Sequence, residues 1–179
     1  MKPLGHEARK REKNFQMSSL LLPNGLIELR QHLEAIKNTV LHGAQRPKPP
    51  KIILAELTQS QFDQLNGLRK QTNRPPLPTR ILEYDGRHHF ESRHADGYGI
   101  EDMVIQILSV LDTRSEAVLQ NKHPQNVNLL NPNARCDNYG NQVNDMAAFN
   151  VSSRSQYTEL FSVIPRGDVK KPPHPPSDQ

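Results

Sequence analysis

The placement of the prolines limits this chain to one region that can fold as a compact unit. The 15 prolines concentrate near residues 47–50, 75–78 and 172–176, and proline interrupts both helices and strands. Between the Pro-rich segment that ends at residue 50 and residue 165 lie about 110 residues, which is enough for one domain with a modest core. We therefore predict a basic arm with a helix and a Pro-rich linker (1–50), an α+β domain (51–165) and a disordered Pro-rich tail (166–179).

The arm combines a charged start with an amphipathic helix. Residues 9–13 hold four basic side chains, which is typical of a solvated tail, either a disordered charged terminus or a segment that orders on a polyanion. From Leu26 to Val40 apolar residues recur at spacings of three and four, after the helix-capping residue Asn24. This spacing predicts a helix with one apolar face. That face either packs on the chain's own domain or pairs in a homodimer, and the sequence leaves both alternatives open.

Hydrophobic periodicity predicts mainly helices in the first part of the domain and strands in the second. Short strands are predicted at 51–55 and 81–84, one helix from the capping residue Thr58, and another over 100–111. Alternating apolar residues then predict the strands 117–119, 127–130, 143–151 and 160–164. Helices followed by an antiparallel sheet of about four strands make an α+β fold, preceded by the helical arm.

The charged residues are unevenly divided between the arm and the domain. The net charge is +4, but residues 1–51 hold ten Lys or Arg against four Asp or Glu, whereas residues 52–164 hold ten against thirteen. Phosphate affinity comes from clustered basic residues. The domain is therefore not predicted to hold a long duplex by bulk charge, whereas a site that recognises a few phosphates stays allowed.

Cysteine content and hydropathy indicate the compartment. The lone Cys136 has no second cysteine with which to form an internal disulfide, and no apolar run approaches the roughly 18 residues of a membrane span. We therefore expect a soluble, cytoplasmic protein with no membrane partner.

Residues 85–99 concentrate the side chains most suited to catalysis. Three of the eight histidines and two arginines lie within residues 87–94. In a helix, His88 would align with Ser92, and His89 with Arg93 on a neighbouring stripe. Imidazoles that exchange protons near neutral pH and guanidiniums that bind phosphate are what metal-free phosphodiester cleavage requires. The pattern predicts three catalytic residues, His88, His89 and Arg93, with phosphate binding by Arg87, Ser92 and His94.

Two other uses of this segment stay open. A polar turn could stabilise the fold, for example through an ion pair of Arg87 with Glu91. A metal site would draw on His88, His89, His94, Asp85 and Asp96, but their spacing matches no common zinc pattern. Nucleotide-binding glycine loops and the nucleophile elbow of α/β-hydrolases are missing from the sequence as well. We predict no metal and no cofactor.

The order of Gly86-Arg87-His88, Ser92-Arg93, Asp96-Gly97-Tyr98 and the last strand 160–165 resembles the barnase–EndoU–colicin–RelE-like nucleases. These small α+β domains are often toxins or proteins of phages and mobile elements, and they commonly cleave RNA without a metal. The resemblance covers about residues 78–166. It implies a catalytic or phosphate-binding part for the Arg/His motif and a polar contribution from the sheet by Arg154 and Ser162. Tyr157 would substitute for the second His or Tyr that the last strand lacks. The resemblance also implies a cognate inhibitor as partner.

Taken together, the sequence predicts a metal-independent endoribonuclease, a toxin or mobile-element effector that binds RNA or another nucleic acid. The alternatives are a non-catalytic nucleic-acid- or protein-binding accessory protein of a mobile element, and a structural domain whose polar turn lies at residues 85–99. Geometry separates these functions. An enzyme requires His88 or His89, Arg93 and a group on the sheet to meet in an open cleft.

Overall fold

The computed structural model describes residues 18–41 and 47–166. The basic residues of the predicted tail, at positions 9–13, lie outside these ranges, as does nearly all of the Pro-rich segment that begins at residue 166. Within the described ranges, no helix has the length and apolar character that crossing a membrane would require.

Four helices and seven strands make up the described part of the chain. The helices are α1 (Gly25–Leu41), α2 (Gln59–Gln71), α3 (Arg87–Ala95) and α4 (Ile100–Val110). The strands are β1 (Ile52–Glu56), β2 (Ile81–Tyr84), β3 (Glu116–Leu119), β4 (Val127–Leu130), β5 (Arg135–Cys136), β6 (Gln142–Asn150) and β7 (Thr158–Arg166). The predicted α+β class is confirmed, and helix α2 starts with the predicted capping box at Thr58.

The sheet is larger than predicted and is not purely antiparallel. Its strand order is β1-β2-β7-β6-β4-β3, with β5 paired to β6. Strand β2 runs parallel to β7, and the other pairs are antiparallel. The prediction of about four antiparallel strands is therefore not exact, because the sheet has seven strands and one of its pairs is parallel. The four later predicted strands are β3, β4, β6 and β7, and the two early strands extend the same sheet because β2 joins the free edge of β7.

Helix α1 belongs to the same core as the sheet. Leu29, Leu33 and Ile36, from the apolar stripe predicted between Leu26 and Val40, are at most 2% exposed, and α1 contacts β1, α3 and α4. The centre of the face that a homodimer would have used is thus covered by the chain itself, whereas Val40 at its end is 46% exposed. Core packing therefore continues across the predicted boundary at residue 50.

The turn between β2 and α3 fixes the position of α3. Strand β2 ends at Tyr84, opposite Leu160, and α3 then contacts β7. At the start of α3 the Gly86 N–H donates a hydrogen bond to His32 Nε2 over 3.0 Å. A Cβ atom on Gly86 would lie 2.9 Å from the Tyr84 ring and 3.0 Å from Ile36 Cδ1. Glycine is needed here because the turn packs closely against the core.

A β-bulge in β7 changes which face of the sheet its side chains reach. Ala148 lies opposite Ser162 and Phe149 opposite Leu160, so Phe161 is an extra residue in β7. Leu160 and Val163 are both fully buried although they are three residues apart, whereas an even strand alternates its faces with a period of two. Because Phe161 is the extra residue at the bulge, its side chain lies on the same open face of the sheet as Ser162.

Candidate functional site

An open cleft of about 380 Å³ lies where α3, the end of α2 and the β3–β4 loop meet the sheet. Its floor includes Asn128, Ala148 and Ser162, which are paired in register across β4, β6 and β7. The strand neighbours of these residues, such as Leu129 and Val163, belong to the core. Alternating side chains thus divide the sheet into a core face and a cleft face.

Helix α3 forms one wall of the cleft with His88, Ser92 and Arg93. The predicted helix is present, and the i, i+4 alignment of His88 with Ser92 directs both residues to the cleft. Ser162 of β7 lines the same cleft. An imidazole, a hydroxyl, a guanidinium and a sheet residue therefore line the same open cleft.

The imidazole of His88 is exposed but held in place. Its ring stacks on that of Phe161, with 4.3 Å between the ring centroids and 18° between the planes. The bulge supplies this contact, because it brings Phe161 to the cleft face. One ring face is thus supported while the side chain stays accessible to solvent, which suits a group that exchanges protons with a bound substrate.

His89, the next residue, lies in the core. It is fully buried, and its Nδ1 lies 2.8 Å from the Tyr84 hydroxyl. Burial, chiefly, and the nearby Arg93 lower the pKa of His89 to about 3, so its ring is neutral at neutral pH. Which of the two groups donates in this hydrogen bond depends on the tautomer of the neutral ring. The predicted catalytic part for His89 has no support in this geometry, because the ring does not line the cleft.

Arg93 is mostly buried in the α3 wall. Its side chain is 13% exposed, and its Nη1 lies 3.3 Å from the carboxylate of Asp96, one helical turn ahead. Its Nε makes no hydrogen bond to any described residue. The described residues therefore satisfy the guanidinium only in part, and the side chain lines the cleft.

Three predicted phosphate-binding residues do not line the cleft. The Arg87 backbone N–H donates to the Asp85 carboxylate, and the ring of His94 stacks on that of Phe90 instead. Arg154 is exposed in the turn between β6 and β7. Tyr157, the suggested substitute, does not line the cleft either. Within the described residues, no group of three or more His, Cys, Asp or Glu side chains is placed to hold a metal ion.

The opposite wall consists of residues that the sequence analysis missed. Arg69 and Arg74 come from the end of α2 and the segment after it, and the β3–β4 loop supplies Gln120, His123 and Asn126. Arg74 Nη2 donates to Asn126 Oδ1 over 2.7 Å and so ties the two segments together. The sequence does show Gln120, His123 and Asn126 close together in one short loop. It gives no sign that this loop lies beside Arg74, which is about 50 residues earlier in the chain.

The cleft is lined by basic and neutral groups. Arg69, Arg74 and Arg93 face it together with His88 and His123, and none of the described residues that line it is Asp or Glu. Burial lowers the pKa of Arg69, and the neighbouring charge of Arg74 lowers it further. Arg93 is paired with Asp96, which lies outside the lining, and the remaining basic groups leave a positive potential in the cleft, which attracts anions.

Comparison with known proteins finds no relative. No protein-family model, no curated protein and no solved structure matches the chain.

Proposed function

We propose that this protein is a metal-independent endoribonuclease that binds the scissile phosphodiester of RNA in the cleft between α3 and the β3–β4 loop. The observation that carries the proposal is the composition of that cleft: three arginines and two histidines, with no carboxylate among its described lining residues. Such a set supplies proton transfer by imidazole and charge stabilisation by guanidinium in one place.

The proposed reaction is an internal displacement at phosphorus. One cleft imidazole accepts the proton of the ribose 2′-hydroxyl, and the 2′ oxygen attacks the adjacent phosphorus. The bond from phosphorus to the 5′ oxygen breaks, and the second imidazole donates a proton to that leaving oxygen. The products are a 2′,3′-cyclic phosphate and a free 5′-hydroxyl. His88 and His123 are the two imidazoles, and Arg93 stabilises the charge that develops on the phosphoryl oxygens.

The surroundings of the two histidines favour a single-stranded RNA substrate. Amide side chains of Gln120, Asn126 and Asn128 line the cleft beside the basic groups, and amides bind the edges of unpaired bases. The 2′-hydroxyl of RNA provides the nucleophile within the substrate itself. DNA lacks this group, so the same strand made of DNA is expected to bind without being cleaved.

The test is RNA cleavage by the purified full chain in the presence of excess chelator. We expect cleavage to continue, with products that end in a cyclic phosphate, and no cleavage of the matching DNA. His88→Ala is expected to remove the activity, whereas His94→Ala, which changes an exposed histidine of the same helix outside the cleft, keeps it. A folded parent protein that leaves RNA intact contradicts the proposal.

The second candidate is a non-catalytic RNA-binding accessory protein. The same basic and amide lining favours it, because guanidinium and amide groups bind phosphates and bases without chemistry. Tight binding of single-stranded RNA without cleavage would select this function. A toxin or mobile-element role, a cognate inhibitor and a cytoplasmic location remain predictions of the sequence, and an inhibitor would act by covering the cleft.

A further inference from the structure

Arg69 lacks the anionic partner that burial of a charge normally requires. It is 4% exposed, its Nε donates to the Pro75 carbonyl oxygen over 2.6 Å, and within the described residues it forms no ion pair with a carboxylate. Burial of a charge costs stability unless the charge is paired. Elsewhere this fold follows that rule, since the fully buried Asp145 is paired with Arg135 over 2.6 Å.

A second arginine, Arg74, adds another positive charge beside Arg69. Arg74 is half-buried, its charge lowers the pKa of Arg69, and its own partner is the neutral amide of Asn126. Two like charges held beside one another in a cleft without a described carboxylate repel each other. An anion between them would remove the repulsion and supply the missing partner. A guanidinium binds phosphate through two parallel N–H···O hydrogen bonds, which makes arginine the side chain best suited to such an anion.

We propose that Arg69 and Arg74 form a second phosphate subsite, which binds a phosphodiester of the RNA strand next to the one at His88. This inference rests on the proposed function and specifies its substrate: a strand with at least two phosphates that crosses the cleft from the α3 wall to the α2 wall. The hydrogen bond from Arg74 to Asn126 fixes the subsite to the β3–β4 loop, which carries His123.

Binding of single-stranded DNA measures the subsite without cleavage. We expect Arg74→Gln to weaken the affinity for a DNA oligonucleotide about tenfold and to lower the slope of log affinity against log salt by about one. Arg154→Gln removes the same charge from an exposed position outside the cleft and is the matched control. Equal losses in the two variants would show a general charge effect and overturn the subsite.

The parent protein alone provides a second measurement. A trinucleotide with two phosphodiesters is expected to bind about tenfold more tightly than a dinucleotide with one, because only the longer strand fills both subsites. Addition of inorganic phosphate should also shift the Nε–H resonance of Arg69. Equal affinities for the two lengths, together with an Arg69 resonance that phosphate does not move, would overturn the proposal even if Arg74→Gln failed to fold.

The two proposals fail in different ways. In one outcome the parent protein leaves RNA intact while Arg74→Gln, but not Arg154→Gln, weakens DNA binding. That result would support the subsite and contradict the nuclease proposal. If the parent cleaves RNA while Arg74→Gln keeps the parent's affinity and salt slope, the nuclease stands and the subsite falls.

Discussion

The two sides of helix α3 carry histidines at adjacent positions, but these histidines differ in their exposure and in the groups they contact. On one side His88 is exposed, stacks on Phe161 and lines a cleft. On the other side His89 is buried against Tyr84, and its pKa is lowered to about 3. One step along a helix turns a side chain by about 100°. Orientation, rather than residue type, therefore determines which histidine is accessible to a molecule in the cleft.

The largest expected effect is the loss of cleavage on the cleft side. His88→Ala should lower the rate of RNA cleavage about 10²- to 10⁴-fold, because it removes a proton-transfer group. Its melting temperature should stay close to that of the parent, since the side chain is exposed. Cleavage rates and thermal melts of the two proteins check this. Full activity in the variant would remove His88 from the mechanism.

The opposite result is expected on the core side. His89→Ala leaves a cavity and deprives the Tyr84 hydroxyl of its partner, so it should cost about 2–4 kcal/mol of unfolding free energy. Denaturant unfolding measures this loss. Below the melting transition the variant should still cleave RNA. A stable but inactive variant would reverse the assignment of the two histidines and make His89 the catalytic one.

Acidic pH should destabilise the protein through the same buried ring. The unfolded chain binds a proton at His89 below about pH 6.5, whereas the folded chain keeps the ring neutral down to a pKa of about 3. Stability is thus fully present above pH 6.5 and falls as the pH decreases towards 3, by up to about 1.4 kcal/mol per pH unit. His89→Gln should show a shallower decline than the parent between pH 6.5 and 5. Parallel curves would mean that this ring does not remain neutral.

The smallest expected effect concerns the support of the cleft histidine. Phe161→Leu removes the ring that stacks on His88. A stacked pair is worth about 0.5–1.5 kcal/mol, which corresponds to a roughly two- to thirteenfold lower cleavage rate if the full amount is lost in the transition state. Comparison with Ile164→Leu, another substitution on the cleft face of β7, separates lost stacking from a change in packing. Equal rates in the two variants would show that the stack has no catalytic part.

Local patterns in the sequence predicted most of this architecture. The apolar stripe of α1, the capping box of α2 and the apolar segments of β6 and β7 each depend on neighbouring residues, and the structure confirms these helices and strands. The seven-stranded mixed sheet was missed because strand pairing is not local. Nothing within residues 81–84 specifies that they join β7 in parallel.

The residues of the candidate site likewise fall into a group that local sequence predicts and a group that only the tertiary fold brings together. His88, Ser92 and Arg93 share one helix, so helical spacing alone brought them together. Arg69, Arg74 and His123 reach the opposite wall only because the sheet places α2 beside the β3–β4 loop. His89 was indistinguishable from His88 in sequence, since the rotation of α3 about its axis depends on Phe90 and Tyr84, which pack into the core.

The most direct test of the central claim is chemical rescue of His88→Ala by imidazole. Removal of an exposed, cleft-lining ring leaves space that free imidazole can enter, so the added base should restore RNA cleavage in the presence of chelator and in proportion to its concentration. Imidazole should give no such restoration in Arg93→Ala, which lacks a guanidinium instead. Restored cleavage would establish His88 as a proton-transfer group in the cleft. A folded His88→Ala protein that imidazole does not reactivate, or that needs no reactivation, would contradict the account.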